Sequence, residues 1–278
     1  MIKRDYYSVR TGKISPEQEI NFEVLKKCFL LTYRKLLTDG YFQKYFGIDC
    51  TDGYIEGELG GEIDAIVFIN LRKDNLWPIV KNLPNYTEDD FFDMLEFLHD
   101  HCSKGLNGYH HNWNECGYHY EEFNDLEGQK YFRELLNPIL KEFQNGFEIS
   151  EKGEILILSD AGLSNLFEAD IPERDQENIT DKMNEAIIKF RRHRSTLEDR
   201  RSAVRELVDV LEFLKPELKK TLNRKDETDL FNIANNFGIR HHNAGQQTEY
   251  DKSIWYSWMF YFYLATIHSV LRLTNKKK

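Results

Sequence analysis

The sequence lacks a disulfide framework: its four cysteines, Cys28, Cys50, Cys102 and Cys116, are scattered, with no Cys-x-x-Cys pair. It also lacks an apolar leader, because Met1-Ile2-Lys3-Arg4-Asp5 is charged and no apolar run follows. Both absences point to a reducing setting, and a cytoplasmic location is expected. There is no Gly-x-Ser-x-Gly and no dinucleotide-binding glycine pattern. Gly57-Glu58-Leu59-Gly60-Gly61 is not followed by Lys-Ser/Thr, so it is no phosphate loop. Internal repeats and low-complexity segments are missing too. Only one long stretch, Ser253 to Val270, is free of charge apart from His268, and Lys252 and Arg272 bracket it. It approaches the roughly 20 residues that span a bilayer. However, Tyr256, Ser257, Tyr261, Tyr263, Thr266, His268 and Ser269 are polar-capable. It is therefore read as a buried core helix, and no membrane partner is expected.

What is present suffices for a core: 41% of the residues are hydrophobic and 14% aromatic. With 278 residues the chain forms one large domain or two ordinary ones. Charge is unevenly spread. Residues 1–170 hold 17 Lys and Arg against 31 Asp and Glu, a balance of −14; the remaining 20 and 16 give residues 171–278 a balance of +4. The acidic balance argues against a nucleic-acid surface in the first half. The basic half can approach phosphate, helped by Lys189, Arg191, Arg192 and Arg194 in one run, although such a run is equally a solvated helix face.

Along the chain, Ser15-Pro16-Glu17-Gln18 predicts a helix start and Thr38-Asp39-Gly40 its stop. Cys50 to Gly61 reads as a loop. Ile63 to Leu71 is a strand or a short buried helix. Thr87 with Asp90 predicts a capped helix bearing Phe91, Leu95 and Leu98. Asp125 predicts the cap of a longer one through Phe143, kinked at Pro138. Phe147 to Ser150, Gly153, and Glu154 to Leu158 read as a β-hairpin. After a connector at Ser159–Pro172 the rest reads as four helices, beginning near Glu173, Leu197, Asp226 and Ser253, with Pro216 kinking or ending the second.

The Asp226 helix carries Leu230, Ile233 and Phe237 as an apolar stripe and runs into a polar knot, Arg240-His241-His242-Asn243, stopped by Asn243-Ala244-Gly245. Asn236 and Arg240, four apart, would share one helix face. A guanidinium fork fits phosphate and an imidazole can take or give a proton near neutrality. Together they can cleave RNA without metal, with Arg240, His241 and His242 as catalytic residues. Asn236, Asn243, Arg191, Arg192 and Arg194 would be substrate-binding. The bland alternative is a cationic helix C-terminus, which the helix dipole favours anyway.

The run Asp199 to Glu212, the stretch Asn232 to Asn243 and the following helix with Trp255 and Trp258 resemble a HEPN-type helical domain, over roughly residues 175–275. Tyr86 to Glu154 resembles, more faintly, the N-terminal domain of AbiJ-like abortive-infection proteins. The resemblance implies a four-helix, often dimeric fold and, in active members, a metal-independent ribonuclease site. The chain departs from the family motif, in which a histidine follows the arginine after four to six residues. Here Arg240 is followed at once by His241 and His242, and positions 245 to 247 are Gly, Gln and Gln.

A second cluster holds five of the nine histidines: His99, His101, His110, His111 and His119, with Cys102 and Cys116 among them. Cys116-x-x-His119 has ligand spacing, and Cys102 with His110 or His111 could complete a tetrahedral zinc site. Interleaved Tyr109, Trp113 and Tyr118 favour a packed loop with hydrogen-bonded histidines instead, so no metal and no cofactor are expected. The acidic set Asp49, Asp52, Glu56, Glu58, Glu62 and Asp64 matches no magnesium or calcium pattern and reads as a solvated loop.

The expectation is a mainly α protein, with an acidic α+β N-terminal domain over 1–165 containing a small β-hairpin and a HEPN-like four-helix bundle over 172–278. As a bacterial defence protein of abortive-infection type it would bind RNA and cleave it without metal, work as a homodimer, and meet a protein partner through its acidic domain. The alternative is a non-catalytic dimerising adaptor or ligand-binding module.

Overall fold

The computed structural model describes residues 6–13, 20–113, 116–158, 163–167, 169, 175–239, 246–247 and 249–275. The chain divides into two compact units, Met1–Ile157 and Leu158–Lys278, each with its own apolar core. Helix dominates both, and the sheets are small antiparallel pairs.

In the first unit a single turn, α1 (Tyr7–Arg10), precedes α2 (Phe22–Thr38). The expected start at Ser15 to Gln18 lies outside the described residues. The described helix begins at Phe22, where the Asn21 side chain accepts from the Val24 amide at 2.9 Å. After α3 (Gln43–Phe46) the chain forms a hairpin of β1 (Ile48–Cys50) and β2 (Gly53–Ile55), with Cys50 opposite Gly53. This corrects the expected loop: strands of three residues are too short to show alternation. Thr51 and Asp52 make the turn, and Gly53, at φ 124°, takes the position after it. At the base of the hairpin Gly47 and Gly57 lie back to back. A Cβ on Gly57 would sit 2.4 Å from the Gly47 nitrogen and from the Tyr45 carbonyl oxygen.

The apolar run Ile63–Leu71 is a helix, α4, and α5 (Ile79–Asn82) leads towards α6 (Glu88–Asp100). The Thr87–Asp90 capping box forms as predicted: the Asp90 amide donates to Thr87 Oγ1 at 3.2 Å and the Thr87 amide to Asp90 Oδ2 at 2.9 Å. Between α6 and the next helix lie two nested ribbons. The outer pairs β3 (Lys104–Leu106) with β6 (Glu122–Asn124), and the inner pairs β4 (Tyr109–His111) with β5 (Gly117–His119). Helix α7 (Asp125–Leu140) is capped by Asn124, one residue before the expected Asp125. Strands β7 (Phe147–Ile149) and β8 (Ile155–Ile157) form the expected hairpin, with Gly153 at φ 87° near its turn. Phe29 and Phe91, edge to face at 5.2 Å, and Phe132 centre the core.

The second unit opens with α8 (Ser164–Phe167) and a π-helical turn, Gln176–Asp181, capped by Asp175. Then come α9 (Lys182–Arg191), α10 (Leu197–Phe213), α11 (Lys215–Thr221), α12 (Arg224–Asn236) and α13 (Lys252–Asn275). Helix α10 packs on both α9 and α13, with Val204, Leu207, Val208 and Leu211 buried. Phe190 and Phe260 stack beside it at 3.9 Å. The helix expected from Leu197 divides in two, the break falling at Leu214, shortly before Pro216. Among the described residues no helix is long and apolar enough to cross a membrane.

Helix α12 ends earlier than predicted. Gly238, at φ 67°, turns the chain, the Gly238 amide donates to Asn235 O at 3.2 Å and the Ile239 amide to Ala234 O at 2.9 Å. Only a residue tolerant of left-handed backbone closes a helix this way. The helix thus closes at Asn236, before position 240, which lies outside the described residues.

Replacing Gly57 with Ala drives a methyl into two backbone atoms that cannot move aside. The expected result is a loss of about 1–3 kcal/mol in chemical denaturation of the full chain.

Candidate metal centre

The inner ribbon does the first sorting. Along a strand side chains alternate between faces. In β4, Tyr109 and His111 share one face and His110 takes the other. Across the ladder Tyr109 opposes His119 and His110 opposes Tyr118. His111 and His119 thus meet diagonally on one face, their rings 5.4 Å apart, while His110 pairs edge to face with Tyr118 at 4.9 Å on the other. Tyr109 stacks on His119 at 5.4 Å and helps to bury it.

Cys116 immediately precedes β5, and its Sγ lies 3.0 Å from His119 Nε2. The fourth group comes from the other hairpin. Cys50 ends β1, its Sγ is 3.5 Å from His111 Nδ1, and the Asp52 amide donates to it at 3.5 Å. One atom from each of Cys50, His111, Cys116 and His119 lies within 4.8 Å of the other three. Zinc bonds of about 2.3 Å to sulfur and 2.0 Å to nitrogen, at tetrahedral angles, set sulfur and nitrogen roughly 3.5 Å apart. The Cys50–His111 pair, at 3.5 Å, matches that, and the Cys116–His119 pair, at 3.0 Å, is somewhat tighter.

The surroundings fit a cation. His111 would bind through Nδ1, and its Nε2 lies 3.7 Å from Asp52 Oδ2, the arrangement that orients a metal-bound imidazole. His119 is 5% exposed; its Nε2 faces Cys116 and its Nδ1 is buried without a partner. Burial and the adjacent Cys50 thiol push the Cys116 thiol up, a penalty that a divalent ion between the sulfurs would reverse. A cavity of about 290 Å³, lined by Gln43, Lys44, Ile55, Glu56, Tyr109 and Tyr120, reaches His119 from one side.

The other members of the sequence cluster do ordinary structural work. His99 is buried, with Nε2 at 3.0 Å from Arg133 Nη1, and His101 Nδ1 bonds Phe97 O at 2.6 Å. Cys102, the sulfur expected beside Cys116, is fully buried and donates to Gly128 O at 3.4 Å; burial raises its thiol to about 12. Cys50 takes its place. Sequence alone offered one hint, the turn residues Thr51-Asp52-Gly53 directly after it. Of the acidic set, Asp52 joins the centre at its margin and Glu58 lies 4.0 Å from Lys44; among the described residues those carboxylates form no cluster.

The residues expected to be catalytic, Arg240, His241 and His242, lie outside the described residues, as does Asn243. Asn236, exposed, ends α12 and its carbonyl accepts from the Gln247 amide at 3.0 Å. Arg201 donates through Nη2 to Gly238 O at 2.9 Å. A cavity of about 160 Å³ opens here, lined by Arg201, Phe237, Gly238, Gln246, Tyr250 and Lys252. Arg191 lies over the Phe167 ring at 4.9 Å, and Arg192 and Arg194 are exposed just before the Thr196 cap of α10. Glu198, in the first turn of α10, and Arg201 just after it both line the cavity, so the basic run before that turn and the end of α12 lie at one end of the helical unit.

Comparison with protein-family models, with curated proteins and with solved structures found no match.

A thiol held near 12 carries about one part in 10⁴ of thiolate at pH 8, and only thiolate attacks an alkylating reagent. Cys116 is raised too, but it is half-buried where Cys102 is sealed, so in metal-free native protein Cys116 is expected to label first and Cys102 only on unfolding, as mass spectrometry of the labelled peptides will read.

Proposed function

We propose that this chain is a zinc-binding protein, with Cys50, His111, Cys116 and His119 holding the ion. One observation carries this: two thiols and two imidazoles from separate chain segments place their donor atoms within 4.8 Å of one another. Sulfur and imidazole donors select zinc over magnesium or calcium. Four protein ligands fill a tetrahedron and leave no position for substrate, so the ion is structural. It fastens the turn of the β1–β2 hairpin to the β4–β5 hairpin, elements whose three-residue pairings are weak alone. Purified full-length chain, reconstituted and dialysed, should retain one equivalent of zinc by elemental analysis. Cys50→Ser and His119→Ala should each lose it, and Cys28→Ser should keep it. Zinc also raises the melting temperature if it binds only the folded chain. Wild type that retains no zinc overturns the assignment.

A second function, RNA binding by the C-terminal unit, is supported by the resemblance to HEPN-type domains and by one local feature. Gly238 and Gln246, which flank the Arg240–Asn243 stretch on either side, both line the cavity that Arg201 and Lys252 border. In this proposal Arg240 neutralises phosphate charge, His241 or His242 moves the proton, Arg192 and Arg194 hold the strand, and the chain acts as a homodimer in bacterial defence. Without added metal, purified protein should degrade single-stranded RNA and Arg240→Ala should abolish it. RNA left intact by both proteins overturns cleavage and leaves a dimerising adaptor.

A further inference from the structure

We propose that Cys50 and Cys116 are a redox-sensitive pair: a peroxide joins them in a disulfide and so expels the metal. The inference rests on the zinc assignment above and concerns the regulation of that centre. The four cysteines are differently placed. Cys102 is sealed in the core, and Cys28, on α2, is not one of the four clustered donors. Cys50 and Cys116 lie together, with their sulfurs within 4.8 Å. They also differ in access. Cys50 is 8% exposed, whereas Cys116 is half-buried and meets solvent first.

That asymmetry sets the order of events. The Cys116 thiolate attacks one oxygen of the peroxide; the O–O bond breaks, the released oxygen takes a proton, and Cys116 becomes a sulfenic acid. The Cys50 thiolate then attacks the Cys116 sulfur, the S–O bond breaks, and the hydroxide leaves as water with a second proton. With hydrogen peroxide the balance is two zinc-bound thiolates, one peroxide and two protons giving one disulfide, two waters and a free zinc ion. Sulfur is oxidised by two electrons, peroxide oxygen is reduced, and zinc keeps its charge. The sulfurs must close to about 2.05 Å, which spends both thiolate donors. Two neutral imidazoles remain, too few to retain zinc.

The experiment uses zinc-loaded full-length protein and hydrogen peroxide. Zinc release is followed with a colorimetric chelator, free thiols are counted, and proteolytic peptides are weighed. Expected are release of the bound equivalent, loss of two thiols, and a Cys50–Cys116 linked peptide pair lighter by two hydrogens. Reduction with dithiothreitol should restore zinc binding, and Cys28→Ser should behave as wild type. Zinc that stays bound, or leaves while Cys116 becomes a sulfinic acid and no linked pair forms, overturns the switch but not the metal centre. Starting protein that holds no zinc overturns the metal assignment and the switch with it.

Discussion

The alternation of side chains across a three-residue strand pair is the constraint on which the candidate centre depends. In the β4–β5 register, His111 and His119 come to one face and His110 is sent to the other. A slip by one residue would exchange those roles. The inner ribbon is small, but it is held from outside. The β3–β6 ribbon encloses it, α6 and α7 flank it in sequence, and Gly105 and Gly108 admit the Tyr120 ring where any Cβ would fall within 2.5 Å of it. The cost of glycine's freedom in the unfolded chain is offset by a contact that no other residue permits.

A second constraint acts at the opposite hairpin. Cys50 reaches the histidines only because the chain folds back tightly after Phe46. The Gly47–Gly57 contact brings the two ends of that excursion together, and the Tyr54 hydroxyl donates to Phe46 O at 2.6 Å. Neither hairpin buries enough apolar surface to stand alone. An ion would add a cohesive term where the hydrophobic one is thin, while Phe29, Phe91 and Phe132 supply the rest of the unit from a different place.

The long helices and the Thr87 cap were legible in sequence because their signals are local, whereas the cap of α7 fell one residue earlier than expected, at Asn124. Thr87 with Asp90, the stop at Gly40 and the hairpin at Gly153 need only a few adjacent residues, and all are found. The end of α12 was harder. Phe237-Gly238-Ile239 carries a stop that the polar residues after it obscured. The candidate metal centre was half legible. Cys116-x-x-His119 is readable by spacing, but choosing His111 over His110 requires the register, and choosing Cys50 over Cys102 requires contacts made across 61 residues and more. Cys102 was the nearer sulfur in sequence, yet it is buried against the Gly128 backbone, where a Cβ would lie 2.5 Å from Ser103 Cα. Burial overrode proximity.

Cys50 also raises a question of timing. On a ribosome adding 5–20 residues each second, roughly 70 residues separate it from His119, so Cys50 waits about 4–14 s before its last companion is synthesised. Throughout that interval the nascent N-terminal unit carries a lone thiol on an unsupported hairpin, and its first half cannot reach its final cohesion until the second ribbon has emerged.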